Sequence, residues 1–139
     1  MTTQEPTMID ICALSDLSVE RGAAALLDGV QVAVFRLVDD SVRACQQRDP
    51  YSGANVLSRG LVGSHELPGE GEEPGEIVPT IASPMYKQAW SLDTGEVLDS
   101  GGGQKLPIAV HEAEVRDGRV LVSARPRGAA VSEPAAAAP

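Results

Sequence analysis

The sequence predicts an all-β domain, a small antiparallel barrel or sandwich, and three observations carry that prediction. Its apolar residues fall into short β-branched or alternating runs. Turn formers, Asp-Gly above all, separate those runs. Only one stretch, Ser18 to Leu27, has helical character, and Gly22 weakens it. The chain has 139 residues, which suits a single domain able to bury roughly two-thirds of its unfolded surface. Aromatics are 3% of the chain, namely Phe35, Tyr51, Tyr86 and Trp90, so the core must be aliphatic.

Taken in order, Met8 to Leu14 reads as an edge strand. Val30 to Leu37 is β-branched and bounded by Asp28-Gly29 and Asp39-Asp40, so it reads as a strand between two turns. Ser41 to Gln46 alternates and returns as the second strand of a hairpin. Residues 63–79, GSHELPGEGEEPGEIVP, hold five Glu and no basic residue, and removing them takes the net charge from -9 to -4. The segment reads as an acidic Gly/Pro-rich loop inserted between ordered parts, with His65 in it. Trp90 to Leu92 and Glu96 to Leu98 form a short hairpin over Asp93-Thr94-Gly95. Ile108 to Arg116 alternates, with a break near Ala113. Asp117-Gly118 then favours a type I′ turn, and Arg119 to Ala124 returns with Val120 and Val122 on one face. The domain is expected over 1–125, with a disordered Ala/Pro-rich tail over 126–139.

Charge and composition exclude several functions. A net charge of -9 repels phosphate, so neither nucleic acid nor an anionic membrane surface is an expected partner. No apolar run approaches the roughly 20 residues that cross a bilayer, and the start MTTQEPTMID lacks the pattern of a secretory signal. Cys12 and Cys45 are therefore expected to be reduced in the cytoplasm, with Cys45 a small buried hydrophobe. His111 is expected to be a half-exposed strand residue. No nucleophile–base pair or phosphate-cradling loop is visible, and Gly101-Gly102-Gly103 reads as a plain turn.

Two stretches break the strand pattern: Asp49-Pro50-Tyr51-Ser52-Gly53, running on to Gly60, and Ser83-Pro84-Met85-Tyr86-Lys87-Gln88. Each opens with a small polar residue and Pro, which fixes φ at the exit of a strand. A Rieske domain holds an iron–sulfur cluster on two loops, C-P-H-x-G and C-P-x-H-G, with two thiolates on one iron and two imidazoles on the other. DPYSG and SPMYK, the latter followed by AWSLDTGEVL, resemble that frame without its ligands. Asp49 and Ser83 stand at the thiolate positions, Tyr51 and Tyr86 at the imidazole positions. With VAVFRL and DPYSGANVLSRGLVG, the pattern from about Ile9 to Val122 is similar to the small subunit of assimilatory NAD(P)H-dependent nitrite reductase.

The resemblance implies a Rieske-like fold whose two loops lie side by side at one end, without a cluster. It implies a cytoplasmic large subunit as partner, carrying FAD, a [4Fe–4S] cluster and sirohaem and reducing nitrite to ammonium. No catalytic, cofactor-binding or metal-binding residue is expected in this chain. The two Cys and two His match the Rieske ligands by count and not by position. The oxygen donors Asp49, Tyr51, Ser83 and Tyr86 would make a poor site for Mg or Ca. They read better as structural: tyrosines filling the volume of imidazole and cluster, and Asp49 capping its loop by accepting backbone N–H bonds. Tyr51, Arg59, Met85, Tyr86 and Lys87 are the candidates for docking to the partner. Two rivals stand beside this reading. One is a Rieske-type ferredoxin electron carrier, which needs the absent ligands. The other is a stand-alone Rieske-like binding module.

Overall fold

The structure, a computed structural model, describes residues 7–127. Ten strands form two antiparallel sheets: β1 (Met8–Ala13), β2 (Gly22–Leu27), β3 (Val30–Arg36), β4 (Val42–Gln46), β5 (Leu61–Glu66), β6 (Ile77–Ala82), β7 (Ala89–Ser91), β8 (Val97–Asp99), β9 (Val110–Arg116) and β10 (Arg119–Pro126). The larger sheet has the order β1-β10-β9-β4-β3-β2 and the smaller β5-β6-β7-β8. β1 is an edge strand, as its sequence predicts. No helix among the described residues is long and apolar enough to cross a membrane.

The turns follow from backbone chemistry. Asp117 and Gly118 both take positive φ, 53° and 75°, and join β9 to β10. Asp28 and Gly29 do the same, at 50° and 81°, between β2 and β3. That second turn explains why 18–27 is not helical. It sends Gly22–Leu27 back along β3, pairing Gly22 with Phe35 and Leu27 with Val30. Cross-strand pairing overrides the helix propensity of Ala23-Ala24-Ala25. Gly22 serves close packing instead, since a Cβ there would collide with Ser58 O and the Phe35 ring.

The acidic segment is also more ordered than its composition predicts. Residues 63–66 belong to β5 and residues 77–79 to β6, in register from Leu61↔Ala82 to Glu66↔Ile77. Only residues 67–76 form the connection, closed by Leu67 N–H donating to Glu76 O at 2.8 Å. His65 accordingly sits on β5 opposite Val78, not in the loop. The irregularity expected near Ala113 is real and lies across from it, in β10 between Val122 and Pro126. Of the predicted tail, Pro126 ends β10; residues 128–139 lie outside the described residues.

β3 divides the core. Val32 and Val34 face inward with Leu17, Leu27, Val42, Ala44, Val120 and Val122. Ala33 and Phe35 face the opposite way, onto Cys45, Leu57, Ile81, Trp90, Leu92, Ile108 and Val110. All four of these β3 residues are at most 1% exposed. Each fully buried large apolar side chain contributes roughly 1.5–3 kcal/mol, so this second cluster, under the smaller sheet, fixes the base from which both loops spring.

Candidate functional site

The first loop leaves β4 at Gln47 and the second leaves β6 at Ser83, and the fold brings them together. Gln47, buried, spans its own loop: its Nε2–H donates to Ser58 Oγ at 2.9 Å and its Oε1 accepts from Ser58 N–H at 2.7 Å. The loop's tight end is closed by Gly53 N–H donating to Asp49 O at 2.7 Å, with Gly53 at φ 78°. Gly60 ends the loop against the last residue of β6, where a Cβ would strike Ala82 O.

Asp49 and Ser83, which the sequence resemblance sets at the thiolate positions of a Rieske frame, bond to each other. Ser83 Oγ–H donates to Asp49 Oδ2 at 2.6 Å, and Asp49 is fully buried. Oδ1 of Asp49 accepts from Tyr51 N–H at 2.8 Å and Ser52 N–H at 3.4 Å, so Asp49 caps its loop as its sequence position predicts. Ser83 Oγ in turn accepts from Met85 N–H at 3.0 Å and Tyr86 N–H at 3.3 Å. One buried hydrogen bond thus ties two loops that are 34 residues apart in the chain.

The two tyrosines part company. Tyr51 is half-buried, its ring 5.9 Å from that of Trp90. Its hydroxyl donates to Gln104 O at 2.6 Å and accepts from Leu106 N–H at 2.9 Å. Trp90 Nε1–H donates to Leu106 O at 2.8 Å. Tyr51 therefore fills interior space and fastens a third segment, residues 100–106, to the loop end. Tyr86 does not fill the vacated volume: it is 56% exposed, beside Met85 at 51%. Arg59 and Lys87 are exposed as well. The structure thus leaves Arg59, Met85, Tyr86 and Lys87 exposed, and holds Tyr51 mostly within the fold.

Gln47, Trp90 and Leu106 are part of this architecture and were not singled out by the sequence. The one signal for Trp90 is chemical: an indole N–H in an apolar run must find an acceptor.

The donors present do not fit a [2Fe–2S] cluster, whose irons need thiolates and imidazoles. The loop end offers carboxylate, hydroxyl and phenol oxygens, and those of Asp49, Ser83 and Tyr51 are already engaged in protein hydrogen bonds. Cys45 lies in β4 with its thiol buried, which pushes its pKa far up and disfavours the thiolate. Cys12 lies in β1, its pKa raised by partial burial. His111 is buried rather than half-exposed: Nδ1 meets Ser123 O at 2.9 Å, and burial lowers its pKa despite that carbonyl. It falls at the irregular end of the β9–β10 ladder, paired with Pro126, which turns its side chain inward.

Fold and loop frame together define a Rieske-like domain. The family model for the Rieske-like [2Fe-2S] domain matches residues 7–123. The nitrite reductase (NADH) small subunit of Escherichia coli strain K12 is 37% identical over 112 residues, covering 80% of this chain and 92% of its own. A Mycobacterium tuberculosis crystal structure, assigned as an NADH-dependent nitrite reductase small subunit, superposes with a TM-score of 0.70 at 38% identity, covering 91% of this chain and 99% of that one. A nitrite reductase [NAD(P)H] large subunit of Klebsiella oxytoca is 37% identical over 118 residues, 83% of this chain and 11% of the larger one. The chain belongs to the nitrite reductase small-subunit family of Rieske-like domains.

Proposed function

We propose that this chain is the cofactor-free small subunit of a cytoplasmic NAD(P)H nitrite reductase, acting in nitrate and nitrite assimilation by docking on the large subunit. The observation that carries the reading is the Klebsiella oxytoca relative, in which a domain similar to this one is about a tenth of a large-subunit chain. A domain that occurs within the large polypeptide in one protein and as a small subunit in others is suited to lie against the large subunit in both. The redox groups expected there, FAD, [4Fe–4S] and sirohaem, belong to the partner.

The loop end supports the same reading. Where a Rieske carrier needs ligands, Asp49 and Ser83 spend their polar atoms on joining the loops, while Met85 and Tyr86 stand exposed at the tip. Aromatic and sulfur side chains of this kind are enriched at the centres of interfaces. A ferredoxin role would require four ligands that this frame lacks, and a stand-alone module would require no large subunit. The test is reconstitution. The chain and the large subunit should co-purify as a stable complex, with iron and acid-labile sulfide assigned wholly to the large subunit. Failure to associate, or about two irons per small chain, would refute the proposal.

A further inference from the structure

The charge of the loop end is opposite to that of the rest of the molecule. The stretches 47–60, 83–88 and 100–106 hold four of the chain's 11 basic residues, Arg48, Arg59, Lys87 and Lys105, and one of its 20 acidic residues, the buried Asp49. Both lysines of the sequence are among them. All four cations are exposed. Elsewhere five of the seven arginines, Arg36, Arg43, Arg116, Arg119 and Arg127, each pair with a carboxylate among the described residues, and Arg21 and Arg125 do not. Among the described residues, none of the four loop-end cations has such a partner.

Hydrogen bonds already described hold these stretches together. The Asp49–Ser83 bond joins the stretches bearing Arg48, Arg59 and Lys87, and the Tyr51 hydroxyl fastens the one bearing Lys105. Gly53 lies against the Arg48 guanidinium. The exposed Pro84, Met85 and Tyr86 belong to the same end. The result is an apolar tip with unpaired cations on the segments around it, on a protein of net charge -9.

We infer that this end is an electropositive docking face for an acidic-rimmed apolar cleft on the large subunit. The inference rests on the docking reading above and names the chemistry of its partner surface. An acidic partner is repelled by the net charge of the rest of this chain and attracted most strongly here, where cations outnumber carboxylates, so charge orients the encounter before the apolar tip seats. Duplex DNA would meet the same four cations, but every other approach presents excess carboxylate, which disfavours a polyanion longer than the patch.

The experiment measures association of the full chain with the purified large subunit by stopped flow, from about 30 to about 300 mM NaCl, across which screening shortens the range of exposed charges severalfold. Wild type should associate at least about tenfold more slowly at the upper salt. The variants Arg48→Glu/Arg59→Glu and Lys87→Glu/Lys105→Glu should each lose about tenfold or more in on-rate at low salt and flatten the salt dependence. The neutral Lys87→Gln/Lys105→Gln should fall between. Arg116→Glu/Arg119→Glu, at the β9–β10 turn far from the loops, should change the rate by less than about threefold at low salt. A salt-independent wild-type rate, or loop-end variants no slower than the distal control, would overturn the inference while leaving docking itself intact. Absence of any wild-type complex would instead remove the docking reading, and the inference with it. Binding of duplex DNA at about 150 mM salt as tightly as the large subunit would show a phosphate-binding face and overturn the acidic-protein partner.

Discussion

Replacing Ser83 by Ala tests whether one buried hydrogen bond holds the two loops together. The substitution removes the hydroxyl that donates to Asp49 Oδ2 at 2.6 Å and leaves that oxygen inside a fully buried residue. Oδ1 keeps Tyr51 N–H and Ser52 N–H, so half of the carboxylate stays solvated by the protein. The amides of Met85 and Tyr86 lose an acceptor but lie in an exposed turn where water replaces it. The loss is therefore dominated by one unsatisfied buried acceptor, about 1–3 kcal/mol. For a domain of this size about 2 kcal/mol lowers Tm by roughly 8 °C. Calorimetry or circular dichroism melts of Ser83→Ala, Asp49→Asn and the double variant give the cycle, with a coupling energy of about 1 kcal/mol or more expected. A Ser83→Ala protein within about 0.5 kcal/mol of wild type, or additive single effects, would refute the account of the site.

Further outcomes follow from the same geometry. Tyr86→Ala should weaken the complex with the large subunit by roughly 1–3 kcal/mol in a titration, with little change in the subunit's own melt because the ring is 56% exposed; the opposite pattern would make Tyr86 a packing residue. The purified chain should lack the visible absorption of a [2Fe–2S] centre after growth in iron-rich medium, because thiolate and imidazole are missing from both loops. Deleting Gly69 to Gly75 should cost less than about 2 kcal/mol in urea unfolding, since loop closure changes slowly with length. Buried His111 resists protonation, whereas the unfolded chain takes the proton at its ordinary value of 6.5. The unfolded state then binds more protons, so Tm should drop below that pH, and His111→Gln should remove this part of the decline.

The fold was legible where local chemistry and tertiary pairing agree. Val30–Arg36 is β-branched, flanked by turn formers, and is a strand whatever surrounds it. Gly22–Leu27 misleads because alanine favours helix, and only pairing with β3 makes it a strand. Leu61–Glu66 hides for a different reason: most of its residues are exposed, so it shows no alternation, and its Glu and Gly read as loop. At the site, the proline-led frames were legible, as was Asp49 capping its own turn over two and three residues. Tyr51 fills interior space as expected, but its partners were not legible, nor was the exposure of Tyr86. Tyr51 is fixed by backbone groups 53 and 55 residues away, and nothing near it in sequence announces them. His111 was misread because regular alternation fails at the irregular end of β10.

The division of β3 between two interiors has a thermodynamic consequence. Val32 and Val34 belong to one cluster, Ala33 and Phe35 to the other, and no residue of the strand can leave one without abandoning the next. Heat or denaturant acting on the six-stranded sheet must therefore release the floor of the loops in the same event, as a single cooperative transition. The loop end has no separate melting point. Its surface exists only while the whole domain does, so a lesion at Leu27 or Val120, far from Tyr86, would silence partner binding through lost folded protein rather than through any altered contact.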